Sequence, residues 1–322
     1  MSPASGALWH RYAWLAYLAV FVGVLGHATT EFVAVLSGVA GPPLSVWRFL
    51  LGGLGLVVVA LAIPSSRDLL TPLREAFWPI LGLSLFWFAL GYLAFHWSLD
   101  FATVPQVATT VTAAPIFVAL MNQWTNRQPI STAKWVTGVC ALLGVALLVT
   151  DGALQELRGS GRNLLGIGLA IACAILVGGY SLFARPVIVR FGALRITTLT
   201  TVIGAVGLWL LVGLVWGSWV DPRTLLERDA GQVVALLTIA FWNTTLTQWL
   251  WLGGLAAVPD VTRGIYLFFL KPVIAASLAL FILGQPVTWL QWLAIFVICG
   301  AVALEASWTR LFGRRATAVN EG

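Results

Sequence analysis

Residues 115–147 read PIFVALMNQWTNRQPISTAKWVTGVCALLGVAL, and residues 272–304 read PVIAASLALFILGQPVTWLQWLAIFVICGAVAL. The two stretches align without a gap at a constant offset of 157. Pro115 falls on Pro272 and Ala119 on Ala276. Gln128-Pro129-Ile130-Ser131 falls on Gln285-Pro286-Val287-Thr288, Trp135 on Trp292, and Val145-Ala146-Leu147 on Val302-Ala303-Leu304. One proline match between two Leu/Ala-rich segments is an ordinary coincidence. Pro, Gln-Pro and Trp in one register are not, so the chain contains an internal repeat.

The surroundings of the repeat are uniformly apolar. Hydrophobic residues make up 60 % of the 322 residues, charged residues 9 %, and the mean hydropathy is +0.93. Water-soluble domains carry about 25 % charged residues. A chain of this size has too little interior to hide so much apolar surface. The composition is that of a polytopic membrane protein, and the net charge of +6 is accordingly a matter of loop basicity rather than nucleic-acid binding.

A helix needs about 20 mostly apolar residues to cross the hydrocarbon core. Ten runs qualify: Ala13–Leu36, Pro43–Ile63, Phe77–Ser98, Ala102–Met121, Ser131–Thr150, Leu164–Ala184, Thr197–Gly217, Gly231–Gly253, Gly264–Gly284 and Thr288–Trp308. The first run is too long for a cleavable signal peptide and leads straight into further spans. With the N-terminus in the cytoplasm, the inner segments hold twelve basic residues: Arg11, Arg67, Arg74, Arg127, Lys134, Arg185, Arg190, Arg195, Arg263, Arg310, Arg314 and Arg315. The outer loops hold four, Arg158, Arg162, Arg223 and Arg228, beside the acids Asp151, Glu156, Asp221, Glu227 and Asp229. Positive charge stays inside, which predicts cytoplasmic termini.

The repeated stretches are spans 4–5 and 9–10, so each half has five spans. An odd number inserts the second half upside down relative to the first. The expected fold is an all-α integral membrane protein with ten transmembrane helices in two inverted five-helix repeats, 1–150 and 151–322. Inverted repeats are the architecture of many secondary transporters.

The 5+5 spans, the basic inner loops and the Pro115/Pro272 signature resemble the drug/metabolite transporter superfamily, in particular its EamA-type ten-helix exporters. Arg48 in span 2 and the Gly/Ala-rich starts of spans 5, 6 and 10 fit that resemblance. The family often has Gly-Glu after spans 4 and 9; here Asn126-Arg127-Gln128 and Gly284-Gln285 stand there, with Gln in place of the acid. Within the superfamily the chain looks most like YddG-type amino-acid exporters. The resemblance implies a central cavity built from spans 1, 3, 4, 6, 8 and 9, alternating access, and a place in the cell inner membrane.

Several groups inside the spans need a reason, because buried charge is costly. Glu31 in span 1 and Arg48 in span 2 are joined by the short turn Ser37–Pro42. They are read either as a structural ion pair or as a proton or zwitterion site, together with His96. Lys271 adjoins Pro272, where a missing backbone N–H kinks the helix. It either pairs with Glu305 or snorkels, or it meets a substrate carboxylate. His27 and His96 titrate near neutral pH when unperturbed. Gln106 and Thr109 share a stripe of span 4, and Trp242, Asn243, Thr244, Thr245, Thr247, Gln248 and Trp249 give span 8 a polar layer. Tyr17, Trp87, Tyr92, Tyr180, Trp242 and Tyr266 combine a ring with a polar handle. The candidate cavity set is thus Tyr17, His27, Trp87, Tyr92, Gln106, Thr109, Tyr180, Trp242, Asn243, Tyr266 and Lys271, with Pro115 and Pro272 as gating hinges.

Other classes find little support. Cys140, Cys173 and Cys299 sit in apolar runs and form no metal spacing, and there are three histidines in all. No P-loop, G-x-S-x-G elbow or selectivity filter occurs, so the chain is not expected to be an ATPase, a hydrolase or a channel, and no cofactor is implied. A nucleotide-sugar site needs several cavity cations, and the buried cations within spans are essentially Arg48 and Lys271. The expected partner is a small organic metabolite, most of all a neutral or aromatic amino acid, moved outward by a monomeric carrier in a lipid bilayer. A carrier of hydrophobic cations is the rival.

Overall fold

The computed structural model describes residues 12–126, scattered positions between 132 and 151, and residues 162–258 and 267–312. Span 5 and Tyr266 therefore lie largely or wholly outside the described residues. The elements are α1 (Ala13–Ala28), α2 (Thr30–Leu36), α3 (Gly41–Ala62), α4 (Leu70–Glu75), α5 (Phe77–Gly82), α6 (Leu90–Ser98), α7 (Val104–Thr112), α8 (Ala114–Asn126), α9 (Asn163–Phe191), α10 (Ala193–Trp216), α11 (Ala230–Leu237), α12 (Thr247–Ala257), α13 (Lys271–Phe281) and α14 (Trp289–Phe312). No strand occurs among the described residues. Among the described residues, six runs are long and apolar enough to cross a membrane: Ala13–Leu36, Gly41–Ala62, Phe77–Ser98, Asn163–Phe191, Ala193–Trp216 and Ala230–Leu255. Lys271–Phe281 and Trp289–Ala301 are shorter apolar helices. The chain is a multi-pass membrane protein.

The helices depart from the expected spans where a backbone hydrogen bond cannot form. Pro115 has no N–H to give the carbonyl of Val111, so span 4 divides into α7 and α8 at Ala113. Pro272 does the same to span 9, which changes from a 3-10 turn at Leu267–Leu270 into α13. The second pieces begin at Ala114 and Lys271, which keeps the offset of the sequence repeat. Spans 3 and 8 each contain a π-helical stretch, Leu83–Ala89 and Thr238–Leu246. Span 6 is longer than expected. Continuing through Pro186, α9 reaches about 43 Å at 1.5 Å per residue and stops at Gly192, whose φ of 97° suits a residue without Cβ. Arg185 and Arg190 therefore project on a helix rather than in a loop.

Cross-links between element ends fix the relative directions of spans 1–4 and 6–8. At one end, the Gln232 side chain lies over Gly38, Trp97 packs on Trp216 at 5.2 Å, and the Gln106 amide reaches Asp151 and Asn163. At the other end, Arg190 pairs with Glu75 at 2.5 Å and Arg195 Nη2 donates to Ser65 O at 2.6 Å. Consecutive spans thus alternate in direction through the cross-linked elements.

Close helix approach holds the bundle together. Span 1 lies against α12 so tightly that a Cβ on Gly254 would come within 3.0 Å of Ala16 O and Val20 N, and one on Gly23 within 3.0 Å of Trp251 Cα. Small residues allow such approach in membranes. The first half of span 4 packs on α13 through Val104, Ala108, Ala275 and Ala279, whereas α8 packs mainly on α9.

Gly254→Val should cost about 1–3 kcal/mol, because two of the three nearest neighbours in the way, Ala16 O and Val20 N, are backbone atoms. Gly168→Ala, which meets nothing within 4 Å, should leave the thermal unfolding midpoint in detergent unchanged.

Candidate functional site

The π-stretch of span 8 and the proline break of span 9 meet in a buried polar layer formed by spans 1, 2, 3, 8 and 9. In a π-stretch the amide bonds five residues back. The N–H of Thr247 accordingly reaches Trp242 O, which leaves Asn243 O free of that α-helical donor. Arg48 takes it: Nη2 donates to Asn243 O at 2.8 Å and Nε to Thr244 Oγ1 at 2.8 Å. Thr244, Thr245 and Thr247 donate their own hydroxyls to carbonyls five residues back, at 2.9, 3.2 and 2.7 Å. These bonds satisfy the widened turns.

Arg48 Nη1 also lies 3.3 Å from His96 Nε2, and His96 Nδ1 lies 2.8 Å from Ser45 Oγ, which donates to Tyr92 O at 3.2 Å. A guanidinium only donates. His96 is then a neutral ring that accepts at Nε2 and donates from Nδ1. The Phe49 and Tyr92 rings lie 5.0 and 5.2 Å from the guanidinium carbon. Among the described residues, no carboxylate touches Arg48. Tyr92 in turn accepts from Gln248 Nε2 at 2.6 Å.

The expected Glu31–Arg48 pair does not form. Glu31 pairs with Lys271 instead, Oε1 to Nζ at 2.6 Å, with the two side chains 0 and 4 % exposed. The reason is packing. Spans 1 and 2 are joined by a short turn, but span 8 packs against both of them, and span 9 lies against span 1. The snorkelling alternative falls with the same observation, and the side chain of Glu305 lies outside the described ones. Apart from that ammonium, neither Glu31 oxygen has a hydrogen-bond donor among the described residues. Lys271 Nζ stands 5.3 Å from the Phe95 ring and 5.6 Å from the Phe268 ring. His27 packs edge-on to Trp251 and Phe268 at 5.6 and 5.5 Å, and its Nε2 is buried without a partner.

Asn243 ties span 8 to span 1: its Nδ2 donates to Gly26 O at 2.6 Å and to Thr29 Oγ1 at 2.8 Å, while Trp242 Nε1 reaches the same hydroxyl at 3.1 Å. The layer therefore unites His27, Glu31, Arg48, Tyr92, His96, Trp242, Asn243 and Lys271 from the candidate set. It excludes others. Tyr180 donates to or accepts from Thr200 at 2.8 Å in the packing of α9 on α10, Trp87 leans on Phe183 at 5.0 Å, and Tyr17 packs near Ala16 and Val258. Thr109 donates to Pro105 O at 2.7 Å. The side chain of Pro115 lies outside the described ones.

Gln106 belongs to a second buried cluster at the ends of spans 4, 6 and 10. Asp151, expected as a loop acid, is 3 % exposed there. It accepts from Gln106 Nε2 at 3.2 Å, Gln291 Nε2 at 2.8 Å and Thr288 Oγ1 at 2.9 Å. Asn163 exchanges hydrogen bonds with Gln106 at 3.1 and 3.0 Å. Gln285, which replaces the family acid, accepts from Val104 N at 3.3 Å. Sequence reasoning missed Asp151, Asn163, Ser45, Thr29, Phe95 and Phe268.

The model of the EamA-like transporter family matches residues 11–150 and 164–305. This chain belongs to the EamA-like transporter family. It is 27 % identical over 240 residues to a probable biotin transporter of Pseudomonas aeruginosa, covering 71 % of this chain and 75 % of that one. It is 22 % identical over 298 residues to the uncharacterized transporter YdfC of Bacillus subtilis, covering 88 and 87 %. An uncharacterized transporter of Clostridium kluyveri is 23 % identical over 227 residues, covering 66 and 71 %. A solved crystal structure superposes with a TM-score of 0.67 at 18 % identity, over 92 % of this chain and 99 % of that one, a likeness of fold.

Arg48→Lys should lower stability by about 2 kcal/mol, since a single ammonium cannot span the three partners on two helices. Asp151→Asn should cost about 2–3 kcal/mol, because it turns an NH2 toward groups that already donate. Thermal unfolding in detergent, followed by tryptophan fluorescence, reads both.

Proposed function

We propose that this protein is a secondary transporter that exports small organic metabolites, most of all neutral and aromatic amino acids, across the inner membrane by alternating access. In this reading ten spans form two inverted repeats, residues 1–150 and 151–322, with both termini cytoplasmic and the carrier acting as a monomer. The observation that carries it is the buried polar layer. Spans 1, 2 and 3 of one repeat and spans 8 and 9 of the other contribute to it, and its charged members adjoin breaks or π-stretches in the helices. Irregular backbone at membrane depth is tolerated where it is buried in protein or lines a cavity, and substrate sites of inverted-repeat carriers lie near the midplane at the repeat interface.

The two halves of span 4, with α7 on α13 and α8 on α9, supply a joint at Ala113. The matching joint in span 9 is at Leu270. Bending at both is the motion by which access would alternate. The excess of basic residues on the face where Glu75 meets Arg190 supports the reading in which that face is cytoplasmic.

A second reading draws on the P. aeruginosa relative named a probable biotin transporter: the substrate is a carboxylate without an ammonium group. Counterflow in proteoliposomes separates the readings. Vesicles preloaded with unlabelled phenylalanine, tryptophan or leucine, with labelled amino acid outside and no proton gradient, should accumulate label above protein-free vesicles. Accumulation with biotin inside and out, and none with amino acids, would replace the first reading by the second. Silence with both would leave a hydrophobic-cation carrier, checked with labelled tetraphenylphosphonium.

A further inference from the structure

We infer that the Glu31–Lys271 pair is the empty form of a zwitterion site, in which Lys271 takes the carboxylate of the substrate and Glu31 takes its ammonium. The inference rests on the chain being an amino-acid carrier and adds the two groups that select the substrate class.

The pair is isolated in a way that structural ion pairs are not. A buried salt bridge is stable only when its remaining oxygens are satisfied by further hydrogen bonds. Here Glu31 has no donor other than Lys271 among the described residues. Two further buried polar atoms of this layer, Asn243 Oδ1 and His27 Nε2, lack partners among the described residues. Native proteins satisfy nearly all such atoms, and the exceptions call for a reason. The Glu31 oxygens and Asn243 Oδ1 are acceptors, and His27 Nε2 is one in one tautomer of the neutral ring. An ammonium brings three donors and no acceptor. The orphans on spans 1 and 8 are therefore the complement of an ammonium group. Asn243 is anchored to Gly26 O and Thr29 Oγ1, a short way before Glu31 on the same span.

Charge conservation in the buried layer points to a zwitterion. When an amino acid enters between Glu31 and Lys271, each protein charge exchanges one partner for another and the sum is unchanged. A carboxylate alone would pair with Lys271 and strand Glu31. An amine alone would pair with Glu31 and strand Lys271. A stranded buried charge carries the full desolvation cost. Three of the five N–H groups of Arg48 are already committed, to Thr244, Asn243 O and His96, so a substrate carboxylate finds the more open donor in Lys271. The rings of Phe95 and Phe268 beside Lys271 offer a surface to an apolar substrate side chain.

The test is competition against labelled phenylalanine counterflow by three compounds of one shape: phenylalanine, 2-phenylethylamine and 3-phenylpropanoate. In the wild-type protein the two singly charged compounds should compete at least about tenfold more weakly than phenylalanine. Glu31→Gln should bring 3-phenylpropanoate to within about threefold of phenylalanine and leave 2-phenylethylamine weak; Lys271→Gln should do the reverse. The double variant Glu31→Gln/Lys271→Gln strands no charge, so it decides the matter if a single variant fails to fold: all three compounds should then compete within about threefold of one another. Amino-acid counterflow with an unchanged order of competition in the folded double variant would overturn the zwitterion site and leave the carrier reading standing. Equal competition by all three compounds in the wild type would do the same. Absence of any amino-acid counterflow in the wild type would overturn both.

Discussion

Everything polar in this molecule is governed by one shortage: hydrocarbon offers no hydrogen bonds. Each carbonyl freed by a proline or a widened turn, and each charge carried into a span, must find its partner within the protein. The Arg48 cluster is the direct outcome. A π-stretch in span 8 frees Asn243 O, and a buried guanidinium needs acceptors. The two needs meet at 2.8 Å. Neither feature is affordable alone, so span 2 and span 8 are fixed to one another in register. His96 and Ser45 extend the same logic to span 3, since each donor finds one acceptor along the chain from Arg48 through His96 and Ser45 to Tyr92 O.

The same shortage separates two kinds of buried charge. Arg48 is a tie: all its nitrogens end on neutral acceptors from two other spans, and nothing in its surroundings asks for a further partner. Asp151 is a tie of the opposite sign, with three neutral donors from spans 4 and 10 around its oxygens. Glu31 and Lys271 are different. Among the described residues they pair only with each other, across spans 1 and 9, amid aromatic rings and acceptors without a described donor. A group wrapped in neutral partners contributes to one conformation. A pair held by a single contact leaves its members available to others.

What the sequence disclosed follows the same division between local and distant causes. Span 1 at Ala13–Leu36 and span 3 at Phe77–Ser98 were legible to the residue because apolarity is a property of the stretch itself. The breaks beside Pro115 and Pro272 were legible because a missing N–H acts four residues away. The partner of Glu31 was not. A short turn places spans 1 and 2 next to one another in the chain, yet span 8, some 200 residues later, packs against both. The π-stretch of span 8 was illegible for a subtler reason: Thr is compatible with α and π turns alike, and only the bonds to carbonyls five residues back distinguish them. The run from Trp242 to Trp249 did signal a polar layer, though not that Arg48 would complete it. Asp151 looked like a loop acid because Gln106 and Gln291, which bury it, lie 45 and 140 residues away.

The placement of the two joints bears on how such a layer can serve a moving carrier. Lys271 is the first residue of α13, immediately after the 3-10 turn, and Pro272 follows it. Any bend at this joint swings the Lys271 side chain relative to span 1, where Glu31 stands in the first turn of α2 just beyond the interruption at Thr29. The ion pair thus connects two helix starts, each next to a break, whereas Arg48 projects from the unbroken α3 onto the widened turns of span 8. Rigid ties lie on continuous helices, and the exchangeable pair lies at the joints. A substrate that parts Glu31 from Lys271 would act on the chain where the backbone has the least hydrogen bonding to resist it, which links occupancy of the site to the geometry of spans 1 and 9.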